Sequence, residues 1–296
     1  MGIRFHQKPE LEKPDLIAAW PGIGNIGLIA VDTLRGALNA QLFAEVEPWD
    51  FFYPRAVSIR GGELRDLEFP ACRFYFKRLG HKDLIFFVGE QQPGGGRKGY
   101  EMASLVLDVA SLQGCERIYT AAAAVAPIHH TMKPRVWVVP NTEELVGEVR
   151  RYPNTILMSD IEGRGGEGNI TGLNGLLLGV ARKRGLTGIC LLGEMPVYIS
   201  QFPTPYPEAS KSILEVLSHN LGIRIDLSTL ERLGQEVGRR IEELYQMIPP
   251  EIREHIDRLK DVDYVRQEEP GAITEQDKER IMQNIQEYFK KGGKED

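Results

Sequence analysis

The sequence predicts an α/β body, a mainly parallel but mixed sheet with helices on both faces, followed by a charged helical extension. Three observations predict it. Short apolar runs recur, each followed by a glycine-rich loop and then a helical pattern, which is how strands buried on both faces read in sequence. The segment AVSIR-GG-ELRDLEF, between Phe51 and Lys77, instead carries a Gly-Gly turn between two short runs and reads as an antiparallel hairpin. Charge density then rises near residue 228, where 29 of the last 69 residues are Lys, Arg, Asp or Glu, while 26 of the 31 glycines lie before that point. The division is placed at residues 1–225 for the body and 226–296 for the extension.

Taken in order, Asp15–Trp20 (DLIAAW) is a buried strand, and PGIGNIG turns it into a helix running to about Leu38. Leu84–Val88 is the next such strand, leading through GEQQPGGGRKG to a helix around Glu101–Leu112. Arg117–Ala124 and Val136–Val139 are further buried strands, and Asn141-Thr142-Glu143-Glu144 has the capping side chain and early acids of a helix start. Thr155–Met158 precedes SDIEGRGGEGNITGLNG and a helix through Leu176–Arg184, and Thr187–Leu192 precedes GEMPVY and a helix over Pro207–Leu217. In the extension, Leu230, Leu233, Val237, Ile241 and Leu244 recur at helical spacing. Pro249-Pro250 breaks that helix, a second starts near Glu251, and a last one covers about Glu275–Phe289. These helices are expected to pack on the body or on a neighbouring subunit.

Composition narrows the functional classes. Of 296 residues, 42% are hydrophobic and 26% charged, with a net charge of −6, values of an ordinary globular protein. A pI near 5.7 opposes nucleic acid and anionic membranes as partners. No apolar run approaches a membrane span, and the first residues lack the apolar core of a secretory signal. Cys72, Cys115 and Cys190 are sparse and lack CxxC spacing. A soluble cytoplasmic protein is expected.

Four loops, 21–27, 89–99, 159–175 and 193–198, leave the carboxyl ends of the expected strands and share one rim, where ligand crevices form in such sheets. Gly22, Gly24, Asn25 and Gly27 belong to a GxGxxG, with Glu45 standing 18 residues beyond Gly27. That pattern admits two readings. One is a dinucleotide site with Glu45 on the ribose; the other is a tight turn with close helix–strand packing and Asn25 as a helix cap. Glu90, followed by Gln91, and Glu194 come directly after strands in VGE and LLGE. Carboxylates there either meet a ligand or cap loop amides. Asn174, at the GLNG helix entry, and Tyr198, in YISQFPTPYP, complete the ligand-binding candidates. Arg97 and Lys98 are candidates to meet an anion, and Asp160 and Glu162 precede GRGG. His129-His130 reads as a pair of solvated loop histidines. With no HExxH, GxSxG or Walker pattern, no metal, cofactor or nucleophile is expected.

WPGIGNIGLIAVDTL, GGEGNITGLNGLLLGVARKRG and GEMPVYISQFPTPYPEASKSILEVL together resemble the proteasome assembly chaperone 2 (PAC2) family, over roughly residues 10–222. The resemblance implies a three-layer α/β/α sandwich similar to nucleoside phosphorylases, usually oligomeric, and makes the GxGxxG a family loop. It also implies binding to proteasome α-subunits. Some such chaperones dock through a C-terminal hydrophobic–tyrosine–any tripeptide, which Lys294-Glu295-Asp296 does not match. The expected function is therefore a non-enzymatic homo-oligomer, an assembly factor or protein-binding module. The alternatives are an enzyme or sensor for a nucleotide-like or phosphorylated metabolite, a small anionic ligand on the rim, and an NAD-binding oxidoreductase.

Overall fold

The computed structural model describes residues 2–94, 96–161 and 168–262. Glu162 and the helix expected over Glu275–Phe289 lie outside the described residues.

Among the described residues, eleven strands and seven α-helices follow one another. β1 (Ile3–Phe5) and β2 (Asp15–Ala19) precede α1 (Ile26–Ala37) and β3 (Gln41–Val46). β4 (Ala56–Arg60) and β5 (Glu63–Glu68) form the expected hairpin, and β6 (Cys72–Arg78) and β7 (Asp83–Gly89) lead to α2 (Gly96–Leu112). β8 (Arg117–Ala126), β9 (Val136–Pro140), α3 (Val146–Val149), β10 (Thr155–Leu157), α4 (Gly172–Lys183) and β11 (Thr187–Pro196) complete the sheet region. α5 (Pro207–Asn220), α6 (Ser228–Gln246) and α7 (Pro250–Asp257) close the described chain.

Nine strands form one mixed sheet in the order β1-β3-β6-β7-β2-β8-β11-β9-β10. The parallel part is the centre, β7-β2-β8-β11, with β9-β10 parallel at one edge. The β11-β9 pair and the β1-β3-β6-β7 flank are antiparallel. The hairpin β4-β5 stands apart as a second, two-stranded sheet with Ile59 and Leu64 exposed.

Strand alternation sorts the core. Ile17 and Ala19 of β2 face Ile26, Ala30 and Leu34 of α1 and Ile213 and Leu217 of α5. Leu16, Ala18 and Trp20 face Met102 and Val106 of α2 and Leu177 and Ala181 of α4. Since side chains alternate across a strand, burial on both faces makes all five residues of β2 buried and erases the period-two signal. α6 adds Leu230, Val237 and Ile241 to the α1/α5 side, so this part of the extension packs on the body. α7 begins at Pro250, where a missing N–H costs nothing.

Three local expectations change. α2 begins at Gly96, so Arg97 and Lys98 of the expected 89–99 loop lie in its first turn. Asn141 does not cap the next helix. Its Oδ1 accepts Gly188 N–H at 2.8 Å and its Nδ2 donates to Leu186 O at 2.9 Å, tying the end of β9 to β11. β11 also runs on to Pro196, paired with β8 over all ten residues. Gly193 and Glu194 therefore lie inside a strand, not in a loop leaving one.

Candidate functional site

A cavity of about 400 Å³ opens at the carboxyl ends of β2, β8 and β11. Gly22 and Ile23 line it after β2, Ala122–Val125 come from β8, Leu192 from β11, and Asn169–Gly172 and Asn174 from the entry to α4. Trp20 and Trp137 supply aromatic walls. Gln92 fastens the rim together: its Nε2 donates to Pro21 O at 2.7 Å, and its Oε1 accepts Leu173 N–H at 3.0 Å. Asn174 Oδ1 accepts Trp20 N–H at 3.3 Å.

The GxGxxG shapes one side of this space. Gly24 (φ 59°) and Asn25 (φ 48°) adopt the left-handed region, and Gly24 O accepts Tyr206 N–H at 2.9 Å. Asn25 is exposed and makes no side-chain cap. Gly27 is required by proximity, since a Cβ there would sit 1.9 Å from Ala121 O. The dinucleotide geometry suggested by Glu45 is not formed. β3 lies beyond β7 and β6 from β2, about 14 Å across the sheet at ~4.8 Å per strand. Glu45 there faces Arg4 at 3.3 Å and His6 at 3.5 Å.

The other candidates disperse. Glu90 extends the β6-β7 ladder and holds the base of the hairpin, its Oε2 accepting from Ala71 N–H (3.1 Å) and Arg55 Nη1 (3.2 Å). Gln91 is exposed, and its neighbour Gln92 does the bridging. Sequence offers no signal for which of two adjacent glutamines turns inward. Arg97 and Lys98 both pair with Glu101, at 2.8 Å and 3.0 Å.

Glu194 is 1% exposed. Its Oε2 accepts Arg135 N–H at 2.8 Å and its Oε1 accepts Trp137 Nε1–H at 2.9 Å, with Arg135 Nε 3.5 Å away. It sits behind one aromatic wall of the cavity and orients it. All three cysteines are buried, and burial pushes each thiol up to about 12, which keeps them protonated and poorly nucleophilic. Among the described residues no cluster of His, Cys, Asp and Glu is arranged to hold a metal, and no helix is long and apolar enough to cross a membrane.

Tyr198 belongs to a second polar cluster, and here the histidine expectation is corrected. His129 is 1% exposed and His130 is covered too, beneath α6 and α7. His130 N–H donates to the Tyr198 hydroxyl at 2.8 Å, and His130 Nε2 lies 3.1 Å from Glu242 Oε2. His129 Nδ1 lies 2.8 Å from Thr131 Oγ1, and its Nε2 lies 3.6 Å from Asp257 Oδ1. Tyr245 packs edge-on against His129, with ring centroids 5.6 Å apart. The loop after β8 thus becomes the seat of the extension, a contact invisible until both are folded.

Burial first, and the neighbouring His130 second, lower the His129 pKa to about 4. In the unfolded chain a histidine titrates near its ordinary value of about 6.5. Between these values the unfolded chain binds more protons, so stability is complete above about pH 6.5 and falls as pH drops toward 4. The expected loss is up to about 3 kcal/mol, at ~1.4 kcal/mol per pH unit. Denaturation midpoints at pH 7 and pH 4.5 measure it, and His129→Gln is expected to flatten the difference. An equal pH dependence in that variant would remove His129 as the cause.

The PAC2 family model matches residues 16–245. An uncharacterized protein of Methanocaldococcus jannaschii is 28% identical over 235 residues, covering 79% of this chain and 84% of that one. The archaeal proteasome activator PbaB of Pyrococcus furiosus superposes with a TM-score of 0.70 at 28% identity, covering 82% of this chain and 98% of its own. PbaA from the same organism, an archaeal homolog of proteasome-assembly chaperone, superposes with a TM-score of 0.61 at 23% identity, covering 88% and 99%; at that identity the likeness is one of fold.

Proposed function

This chain belongs to the PAC2 family, and from that premise we propose that it is a non-enzymatic, homo-oligomeric assembly or activation factor that engages proteasome α-subunits. The observation that carries this reading is the match to PbaB, an archaeal proteasome activator, across 98% of that chain. The surface supports a protein-binding role. The hairpin β4-β5 presents Val57, Ile59, Leu64 and Leu67 to solvent, and a two-stranded hairpin without a packed face is marginal in isolation. Contact with another chain would cover that face. The candidate carboxylates support the same reading, because Glu90 and Glu194 are held by backbone and side-chain donors of the fold itself.

The test is native mass spectrometry of the purified chain, alone and mixed with the 20S proteasome of its own organism, alongside peptide hydrolysis by that proteasome. The expected spectrum shows a multiple of the 33.3 kDa chain and, after mixing, a complex containing α-subunits. A monomer that neither joins the proteasome or its α-subunits nor changes hydrolysis would overturn the proposal.

A further inference from the structure

The cavity at the carboxyl ends of β2, β8 and β11 is lined by a buried polar side chain, Asn174, that the fold leaves half used, beside Trp20, whose buried Nε1 has no partner among the described residues. Asn174 is 4% exposed. Its Oδ1 accepts Trp20 N–H, whereas its Nδ2 has no hydrogen-bond acceptor among the described residues. Buried amide donors in native proteins almost always find a partner. Asn174 lines the cavity, and its Nδ2 is not among the buried atoms sealed off without one. A ligand atom in the cavity would supply that acceptor.

The surroundings define its chemistry. α4 starts at this cavity and is 12 residues long; Thr171 gives it no side-chain cap, and Gln92 Oε1 takes the Leu173 N–H alone among its first-turn donors. α1, also 12 residues long, starts beside Gly22 and Ile23 on the same space. Each helix start carries about half a positive charge, so the two together balance about one negative charge. Among the described lining residues there is no Lys, Arg, Asp or Glu. A di- or triphosphate would bring more charge than this set offsets, while one carboxylate matches it. Of the other walls, Trp20, Trp137, Ala122 and Ala124 suit a flat apolar body, while Asn169 and Thr171 add neutral polar groups on the α4 side.

We infer that this cavity binds a small monocarboxylate with an aromatic or branched apolar body. The carboxylate sits on Asn174 Nδ2 and the α4 start, and the apolar part lies against the two indoles. This site is independent of proteasome engagement, and its ligand need not undergo any reaction.

The three tryptophans make the test specific. Protein labelled with 5-fluorotryptophan gives separate ¹⁹F signals for Trp20 and Trp137 at the cavity and for Trp49, which is 66% exposed and meets Phe69 edge-on beside the hairpin. Millimolar phenylacetate and benzoate are expected to shift the Trp20 and Trp137 signals saturably and leave Trp49 unmoved. Phenylacetamide is expected to bind at least about tenfold more weakly, the loss of one charge-assisted hydrogen bond.

Asn174→Asp keeps an acceptor for Trp20 N–H while replacing the donor by a repelling carboxylate, so phenylacetate should bind it at least about tenfold more weakly. Gly22→Leu blocks the space independently, because its backbone is extended (φ −157°) and a Cβ there meets nothing within 4 Å. The Trp49 signal reports whether each variant is folded. Absence of a saturable shift, equal binding of the amide, or unchanged affinity in Asn174→Asp would overturn the inference. A shift produced by phosphate or AMP and not by the carboxylates would overturn it in favour of a phosphorylated ligand.

Discussion

Gly27→Ala is expected to destabilise the protein by about 4 kcal/mol, near the upper end for one added methyl group. The new Cβ would lie 1.9 Å from Ala121 O, 2.4 Å from Ala121 C and 2.9 Å from Ala122 N. These are backbone atoms of β8, which is hydrogen-bonded to β2 and β11 on its two sides, so the strand cannot yield. α1 must lift instead, and lifting it loosens Ile26, Ala30, Val31 and Leu34, all of them fully buried. Gly22→Ala is the matched control: an extended backbone and open space predict a change within about 0.5 kcal/mol. Chemical denaturation at one fixed protein concentration separates the two, because oligomerisation shifts midpoints with concentration. A Gly27→Ala midpoint equivalent to less than about 1 kcal/mol of loss would refute the close-packing role.

Glu194→Ala is expected to cost about 3–5 kcal/mol, the range for stripping one partner from a buried charged pair. The substitution leaves Trp137 Nε1–H and Arg135 N–H without the carboxylate oxygens that accept them at 2.9 Å and 2.8 Å. It also withdraws the charge facing Arg135 Nε. Glu194→Gln should be milder, about 1–2 kcal/mol, since one amide oxygen still accepts from Trp137 while the amide nitrogen opposes Arg135 N–H. Both losses should appear in the denaturation midpoint, and oligomer mass should change only in step with them. Were Glu194→Gln to retain full stability yet lose a measurable activity, Glu194 would be acting as a chemical group and not as a positioning one.

Much of the fold was legible because its signals are local. Apolar runs bounded by glycine loops marked β2, β7, β8, β9, β10 and β11 to within a few residues at most ends, and the Gly-Gly pair marked the β4-β5 turn. Leu230, Val237 and Ile241 showed the face of α6 that packs inward, whereas Leu233 and Leu244 of the same expected stripe are exposed. Strand order was not legible. The helix after β2 leads to β3, three positions along the sheet, and not to a neighbouring strand, so the spacing from Gly27 to Glu45 carried no information about where the carboxylate would lie.

The candidate site was legible in part. Gly22, Gly27 and Asn174 meet at one cavity because they lie at the ends of strands and starts of helices that share a rim. Glu90, Gln91 and Tyr198 were candidates on the same rim in sequence, yet the hairpin and the extension take Glu90 and Tyr198 elsewhere and leave Gln91 in solvent. Gln92, Trp20 and Trp137 gave no local sign of their roles. His129 and His130 read as polar loop residues until α6 and α7 closed over them.

The residues alone settle the class of fold, its family and the glycine turn geometry, since these follow from short-range periodicity and backbone sterics within a few residues. Folding settles which polar groups are satisfied, which cavity remains, and which histidine is stripped of water. Each of those depends on partners far apart in sequence, 154 residues for Trp20 and Asn174 and 184 for Ile26 and Ser210, and no local pattern encodes which of them will meet.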